Sequence, residues 1–224
     1  MKTKIDWCDW TINPVVGCKN GCKYCYAEII NTRFKLIPCW REPKFFPEKM
    51  KPLKTKKRKS IFMDSMSDIG WWEHGWCVKI AEVMEKYSQH NYIFLTKCYK
   101  ALELASIDLG KNYLKNTFFG VSITTQEQLN AYSKFNYAKK YCDFFSIEPI
   151  FEPITIPTDI MPKAIIVGAE TGNRKGKVIP QKEWINSLVK QADAHNCKVF
   201  IKGSLRKLMG DDFRQDKLPW EIER

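Results

Sequence analysis

TFFGVSITTQEQLNAYSKF, residues 117–135, is the stretch that decides the fold. Its first seven residues, Thr117–Ile123, are nearly continuous in apolar side chains, without clean alternation. Such a run suits a strand buried on both faces of a parallel sheet. A polar turn follows, and Thr125–Phe135 then reads as a helix. The same rhythm extends in both directions. Thr11–Val16, Ser60–Met66 and Asn91–Thr96 precede it as strand-like runs, and Asp143–Ile147, Ala164–Gly168 and Lys198–Ile201 follow. Helical patterns occupy Tyr26–Phe34, Gly75–Tyr87 and Gln181–His195. Val78, Ala81, Val83 and Met84 share one helical face, as do Trp184, Leu188 and Ala192. Strands alternating with helices imply βα units. The expected fold is α/β, a partial (βα) barrel of about six or seven parallel strands. One domain spanning 1–224 is the expectation at this length.

The chain has 224 residues, 44% hydrophobic, in the range of ordinary globular proteins. No apolar run is long enough to span a bilayer, so a membrane partner is not expected. The first residues, MKTKIDWCDW, lack the apolar stretch of a secretory leader, which implies a cytoplasmic setting. A net charge of +12 favours polyanionic partners, DNA or RNA among them. Lys44–Lys59 is rich in lysine and proline and poor in periodicity. It reads as a long surface loop able to touch phosphates. Trp71, Trp72 and Trp76 read as aromatic core, with a lid or a stacking platform for bases as the alternatives.

Residues 18–25 read CKNGCKYC, placing Cys18, Cys22 and Cys25 in a C-x3-C-x2-C spacing. Three thiolates on one short loop can hold three irons of a [4Fe–4S] cluster, leaving the fourth iron open. Gly17 and Gly21 fit a loop that needs unusual backbone angles. Zinc is the competing reading, with Cys8, Cys39 or His74 as fourth ligand. A second C-x2-C, usual in zinc knuckles, is absent. Nine cysteines, an odd number, argue against a disulfide framework.

In a parallel barrel, functional side chains gather at the C-terminal ends of strands. Here those ends are polar in succession. They carry Asp64, Ser65, Ser67 and Asp68, then Thr96, Lys97 and Cys98, then Ser122 and Thr124. Ser146 and Glu148, Gly168 and Glu170, and finally Lys202 follow. One polar strand end is ordinary turn chemistry, but six in order form a constellation. Lys97 and Lys202 are candidate partners for Glu148, or ligands for a substrate phosphate. Cys98, beside the third strand end, reads as a small buried apolar residue, with a hydrogen-atom donor as the alternative.

The cysteine spacing, with Tyr24 before the last cysteine, resembles the signature of radical S-adenosylmethionine (SAM) enzymes. More of the chain resembles the phage-associated three-Cys-motif family of small radical-SAM-like proteins. The shared blocks are WCDWTINPVVGC at 7–18, SMSD at 65–68, LTK at 95–97, GVS at 120–122, EP at 148–149 and VGAETG at 167–172. There are departures. Cys98 stands where arginine is common, and the proline often seen after Glu170 is missing.

The resemblance implies a partial barrel holding a [4Fe–4S] cluster and SAM. Cys18, Cys22 and Cys25 would each bind an iron, and SAM would chelate the fourth. Tyr24 would lie beside the adenine. Ser65, Ser67 and Asp68 would take the SAM amino group, and Ser122 and Thr124 the ribose. Gly168 would admit the adenine, with Glu170 nearby. The implied activity is reductive cleavage of SAM to a 5′-deoxyadenosyl radical, served by a reductant such as flavodoxin or ferredoxin. The basic charge points that activity at a nucleic-acid or nucleotide substrate. The alternative is a non-enzymatic, zinc- or cluster-stabilised nucleic-acid-binding module of phage origin.

Overall fold

The computed structural model describes residues 3–172 and 174–221. The apolar runs become β1 (Trp10–Thr11), β2 (Val15–Val16), β3 (Lys44–Phe45), β4 (Ser60–Phe62) and β5 (Asn91–Thr96). They continue as β6 (Thr117–Ser122), β7 (Phe144–Ile147), β8 (Ala164–Val167) and β9 (Lys198–Ile201). The α-helices are α1 (Tyr26–Phe34), α2 (His74–Lys86), α3 (Leu102–Asp108), α4 (Gln126–Ser133), α5 (Asn136–Tyr141), α6 (Lys182–Asp193) and α7 (Arg206–Met209). Seven strands form one parallel sheet in the order β1-β4-β5-β6-β7-β8-β9. This is the α/β partial-barrel class that the βα rhythm implies. Strand neighbours in space are neighbours in the sheet order of the chain, as right-handed βα crossovers dictate.

Thr11–Val16 is not one strand. Pro14 interrupts it, since proline cannot donate to a ladder. Trp10–Thr11 stays in the main sheet beside Ile61 and Phe62. Val15–Val16 instead pairs antiparallel with Lys44–Phe45. The basic segment is therefore not wholly loop. After β3 it forms a 3-10 helix, Pro47–Lys54, anchored by buried Met50 and Leu53. The buried faces of two helices also differ from the expected ones. In α2 the buried stripe is Cys77, Ile80, Ala81 and Met84, so Val78 and Val83 flank it. In α6 it is Ile185, Leu188 and Ala192, with Trp184 at the edge. Each stripe follows the 3.6-residue period that one apolar face requires. Truncating a residue such as Leu188 to alanine costs about 2–5 kcal/mol.

Two compact units divide the chain. The first runs to Phe119 and includes Trp220. Trp220 is fully buried, its Nε1 donating to the Trp7 carbonyl at 2.8 Å. Stacked Phe94 and Phe119 lie in the same unit, 5.0 Å between ring centroids. The second unit is Gly120–Pro219. Its centre is Phe144, Phe145, Ile165, Ile166, Val199 and Ile201, all buried. Gly120 is required there, because a Cβ would meet the Phe144 ring at 2.4 Å. No helix among the described residues is long and apolar enough to cross a membrane.

Candidate functional site

The cysteine loop leaves β2 and is held by backbone bonds on both sides. Gly17 N–H donates to the Met66 carbonyl at 3.0 Å, and Cys18 N–H to the Trp40 carbonyl at 2.9 Å. Gly17 has φ 111° and Gly21 φ 71°, angles that side chains resist. A Cβ at Gly17 would also lie 2.8 Å from Pro43 Cα. The loop ends in Cys25, which is the N-cap of α1. Its sulfur accepts from the Glu28 N–H at 3.4 Å, and the Cys18 sulfur from the Asn20 N–H at 3.5 Å. N–H groups aimed at sulfur favour thiolates, as metal-binding loops require. Burial works the other way. It pushes the Cys18 thiol up to about 12 and raises that of Cys25. Negative charge on Cys22 and Cys25 also raises Cys18, so the three sulfurs lie within electrostatic reach. Among the described residues, no three His, Cys, Asp or Glu side chains form a group placed to hold a metal ion. A mononuclear zinc needs four donors at about 2.0–2.3 Å from one point. Soft thiol donors on one loop, with N–H groups aimed at two of them, are of the kind that both iron–sulfur clusters and structural zinc use.

The ends of β4 and β5 meet this loop through Asp68. This carboxylate is buried and accepts four hydrogen bonds. Gly70 N–H donates to Oδ1 at 2.9 Å, together with the Thr96 hydroxyl. Lys97 N–H donates to Oδ2 at 2.8 Å, together with the Asn20 side-chain amide. Four bonds fill the acceptor capacity of a carboxylate. Asp68 therefore ties the loop to two strand ends and offers no further acceptor site to a ligand's ammonium group. Asn20 completes the tie. Its Oδ1 accepts from Trp71 Nε1 at 2.6 Å and from the Cys98 thiol at 3.2 Å. Gly70 makes room for Cys98, since a Cβ there would fall 2.2 Å from Cys98 Cβ. Burial, reinforced by the charges of Asp68, Cys18 and Cys22, pushes the Cys98 thiol up to about 12.

The neighbouring candidates are placed as follows. Ser65 donates its hydroxyl to Asn13 Oδ1 at 3.0 Å. Ser67 accepts from Trp72 Nε1 at 3.0 Å. Lys97 Nζ lies 5.9 Å from the Tyr24 ring centroid. Of the three tryptophans, Trp72 is buried, whereas Trp71 is 36% exposed and Trp76 stacks on Phe45. The core reading holds for Trp72 alone, because Trp71 faces the cysteine loop.

In the second unit, register sets the strand ends side by side. Ile147 pairs with Val167, and Val167 with Ile201. The next residues, Glu148, Gly168 and Lys202, therefore emerge level with one another. Lys202 Nζ donates to Glu148 Oε1 at 2.6 Å. Gly168 admits this carboxylate, because a Cβ would come within 3.0 Å of Glu148 Cδ. Ser122, paired in register with Ser146, and Thr124 are buried, Thr124 donating its hydroxyl to Gln128 Oε1 at 3.0 Å. Both oxygens of Glu170 are taken by Arg174, at 2.6 and 2.7 Å. That fork holds Glu170 below the usual carboxylate range and occupies it.

Asn20 escaped the sequence reading of the site, and Asp64 stands in it only as one of the polar residues after the second strand-like run. Asn20 gave no signal beyond being polar between cysteines. Asp64 is fully buried, accepts from the Leu95 N–H at 3.2 Å, and is raised well above the usual carboxylate range by burial and by Asp68. The basic run falls elsewhere. Residues 54–59 lead into the start of β4, at the opposite end of that strand from the turns that meet the cysteine loop.

No curated protein and no solved structure matches the chain. One family model does, over residues 2–208, and it is described as a protein of unknown function (DUF5131). That match covers nearly the whole sequence, so the chain belongs to this family of unknown function, DUF5131.

Proposed function

We propose that this protein is a radical SAM enzyme that acts on a nucleic-acid or nucleotide substrate. The observation that carries the reading is the cysteine loop itself. It presents three thiols in C-x3-C-x2-C spacing, two of them receiving backbone N–H bonds, and it is pinned to the ends of β4 and β5. When bound, a [4Fe–4S] cluster with SAM supplies a reducing electron and a carbon-centred radical. Cys18, Cys22 and Cys25 would hold the cluster. Asp68 and Asn20 fix the loop against the strand ends, so its geometry is set before any ligand arrives. Tyr24 supplies an aromatic face beside Lys97, suited to a flat base. Cys98 stays an S–H at neutral pH because burial raises its thiol, and an S–H is the state a hydrogen-atom donor needs. The net charge of +12 supports an anionic substrate.

The test is anaerobic reconstitution followed by metal and sulfide analysis. The reading expects about four irons and four sulfides per chain. Alanine at Cys18, Cys22 or Cys25 should each abolish the cluster's visible absorbance, whereas alanine at Cys39, Cys77, Cys142 or Cys197 should not. About one zinc without sulfide would instead support a metal-stabilised nucleic-acid-binding module.

A further inference from the structure

Trp71 is exposed where its neighbour Trp72 is buried. It ends the 3-10 turn Ile69–Trp71, whose N-cap is Asp68. Its backbone N–H donates to the Asp68 carbonyl at 3.0 Å, and its indole Nε1 to Asn20 Oδ1 at 2.6 Å. Asn20 is itself held. Its side-chain amide donates to Asp68, and its backbone N–H to the Cys18 sulfur at 3.5 Å. The indole is therefore fixed along one edge, and little ordering remains for a ligand to impose. Lys19 Nζ lies 5.7 Å from the ring centroid. Lys19 and Lys23 are both exposed on the cysteine loop, and among the described residues neither is paired with a carboxylate.

We infer that Trp71 is a stacking platform for an unpaired base of a single-stranded nucleic acid, with Lys19 and Lys23 on the adjoining phosphates. The inference deepens the proposed function, on whose nucleic-acid substrate it rests. An exposed indole alone is ordinary on a protein surface. Here the ring is also fixed, and unpaired cations stand beside it. The centre of a protein interface groups apolar side chains, whereas Asn20 and Lys19, the groups set against this ring, are polar. A fixed aromatic face beside free cations is how proteins hold single strands: the ring takes a base and the cations take the backbone. A duplex keeps its base faces inside the stack, so only an unpaired base can use the ring. Two lysines four positions apart suit successive phosphates of a strand better than one free nucleotide. Because Asn20 bridges Trp71 to Cys18, a base on this ring sits at the rim of the cysteine loop.

The experiment uses the cluster-free protein, with oligothymidylate, oligouridylate, a mixed-sequence DNA duplex and thymidine monophosphate as probes. Wild type should bind at least one of the single strands more tightly than the duplex or the nucleotide, with affinity falling as salt rises. The two strands separate DNA from RNA. Trp71→Leu and Trp71→Phe both delete the indole N–H that bonds Asn20, but only Trp71→Phe keeps an aromatic face. Trp71→Leu should weaken single-strand binding about tenfold, within the range for loss of one stacked base, and Trp71→Phe should recover most of it. Lys19→Met should lower the salt slope by about 0.7, the share of one phosphate contact on a single strand. A strand carrying 5-bromouracil should photocrosslink to Trp71, as read by mass spectrometry. Equal losses in Trp71→Leu and Trp71→Phe would assign the effect to the Asn20 bond and overturn the platform. So would unchanged binding in Trp71→Leu, tighter binding of the duplex or the nucleotide than of either strand, or no binding of any probe by wild type at low salt. None of these readouts involves the cluster. Failure of wild type to assemble iron and sulfide would refute the enzymatic reading, while the binding results would still decide the platform.

Discussion

Asp68→Asn is the sharpest perturbation of the tie between the cysteine loop and the sheet. The amide keeps the shape of the carboxylate but turns one oxygen into a donor. If the new NH₂ replaces Oδ1, it faces Gly70 N–H; if it replaces Oδ2, it faces Lys97 N–H. The Thr96 hydroxyl can rotate to accept, but a backbone N–H cannot turn away, and the Asn20 amide cannot flip without setting its NH₂ against Trp71 Nε1. One buried donor is therefore orphaned in either orientation, at about 1–3 kcal/mol. Loss of charge assistance in the remaining bonds adds to this, giving about 2–4 kcal/mol in all. The assay is urea unfolding of the cluster-free protein, followed by tryptophan fluorescence and circular dichroism. Thr96→Val, which removes one donor and orphans none on the backbone, should cost about 1 kcal/mol. A change below about 0.5 kcal/mol for Asp68→Asn, the range of an ordinary surface substitution, would refute the four-bond account.

Three further outcomes are expected. Gly70→Ala should destabilise the protein by about 1–3 kcal/mol. Adding Cys98→Gly should recover part of the loss while adding Cys98→Ala should not, because the clash is between two Cβ atoms; equal recovery in unfolding experiments would reject that packing. Asp64 has a carboxyl raised above its unfolded value, so the folded state binds the extra proton. Its contribution is favourable at acid pH and is lost as pH rises from the unfolded value through the folded one, by up to about 1.4 kcal/mol per pH unit. Stability of wild type minus that of Asp64→Asn should therefore fall with rising pH, and a flat difference would contradict this. A double-mutant cycle on Glu148→Gln and Lys202→Met should return a coupling of about 1 kcal/mol for this partly exposed pair; no coupling would reduce the ion pair to a surface contact.

The strands were readable because buried parallel strands write themselves as short apolar runs, and Asn91–Thr96 and Lys198–Ile201 match the observed limits. The break at Pro14 was also written in the residues, through a missing donor. Which face each helix buries was harder. In α2, apolar residues occur on more than one side, and only packing selects Cys77 and Ile80 over Val78 and Val83. At the strand ends, the residue types indicated Lys202 as a partner for Glu148, and the two are bonded. Roles were less legible. Asp68 and Glu170 look like ligands in sequence, yet Asp68 is saturated by four donors and Glu170 is forked by Arg174. The saturation of Asp68 depends on Asn20, 48 positions away, and spacing along the chain does not encode it.

The central claim is that the cysteine loop serves SAM cleavage. The most direct measurement is 5′-deoxyadenosine produced by the anaerobically reconstituted protein given SAM and dithionite, beside Cys22→Ala treated identically. The account predicts 5′-deoxyadenosine from wild type and none above background from the variant. Equal amounts from both, or none from a wild type shown to carry its full complement of iron and sulfide, would contradict it.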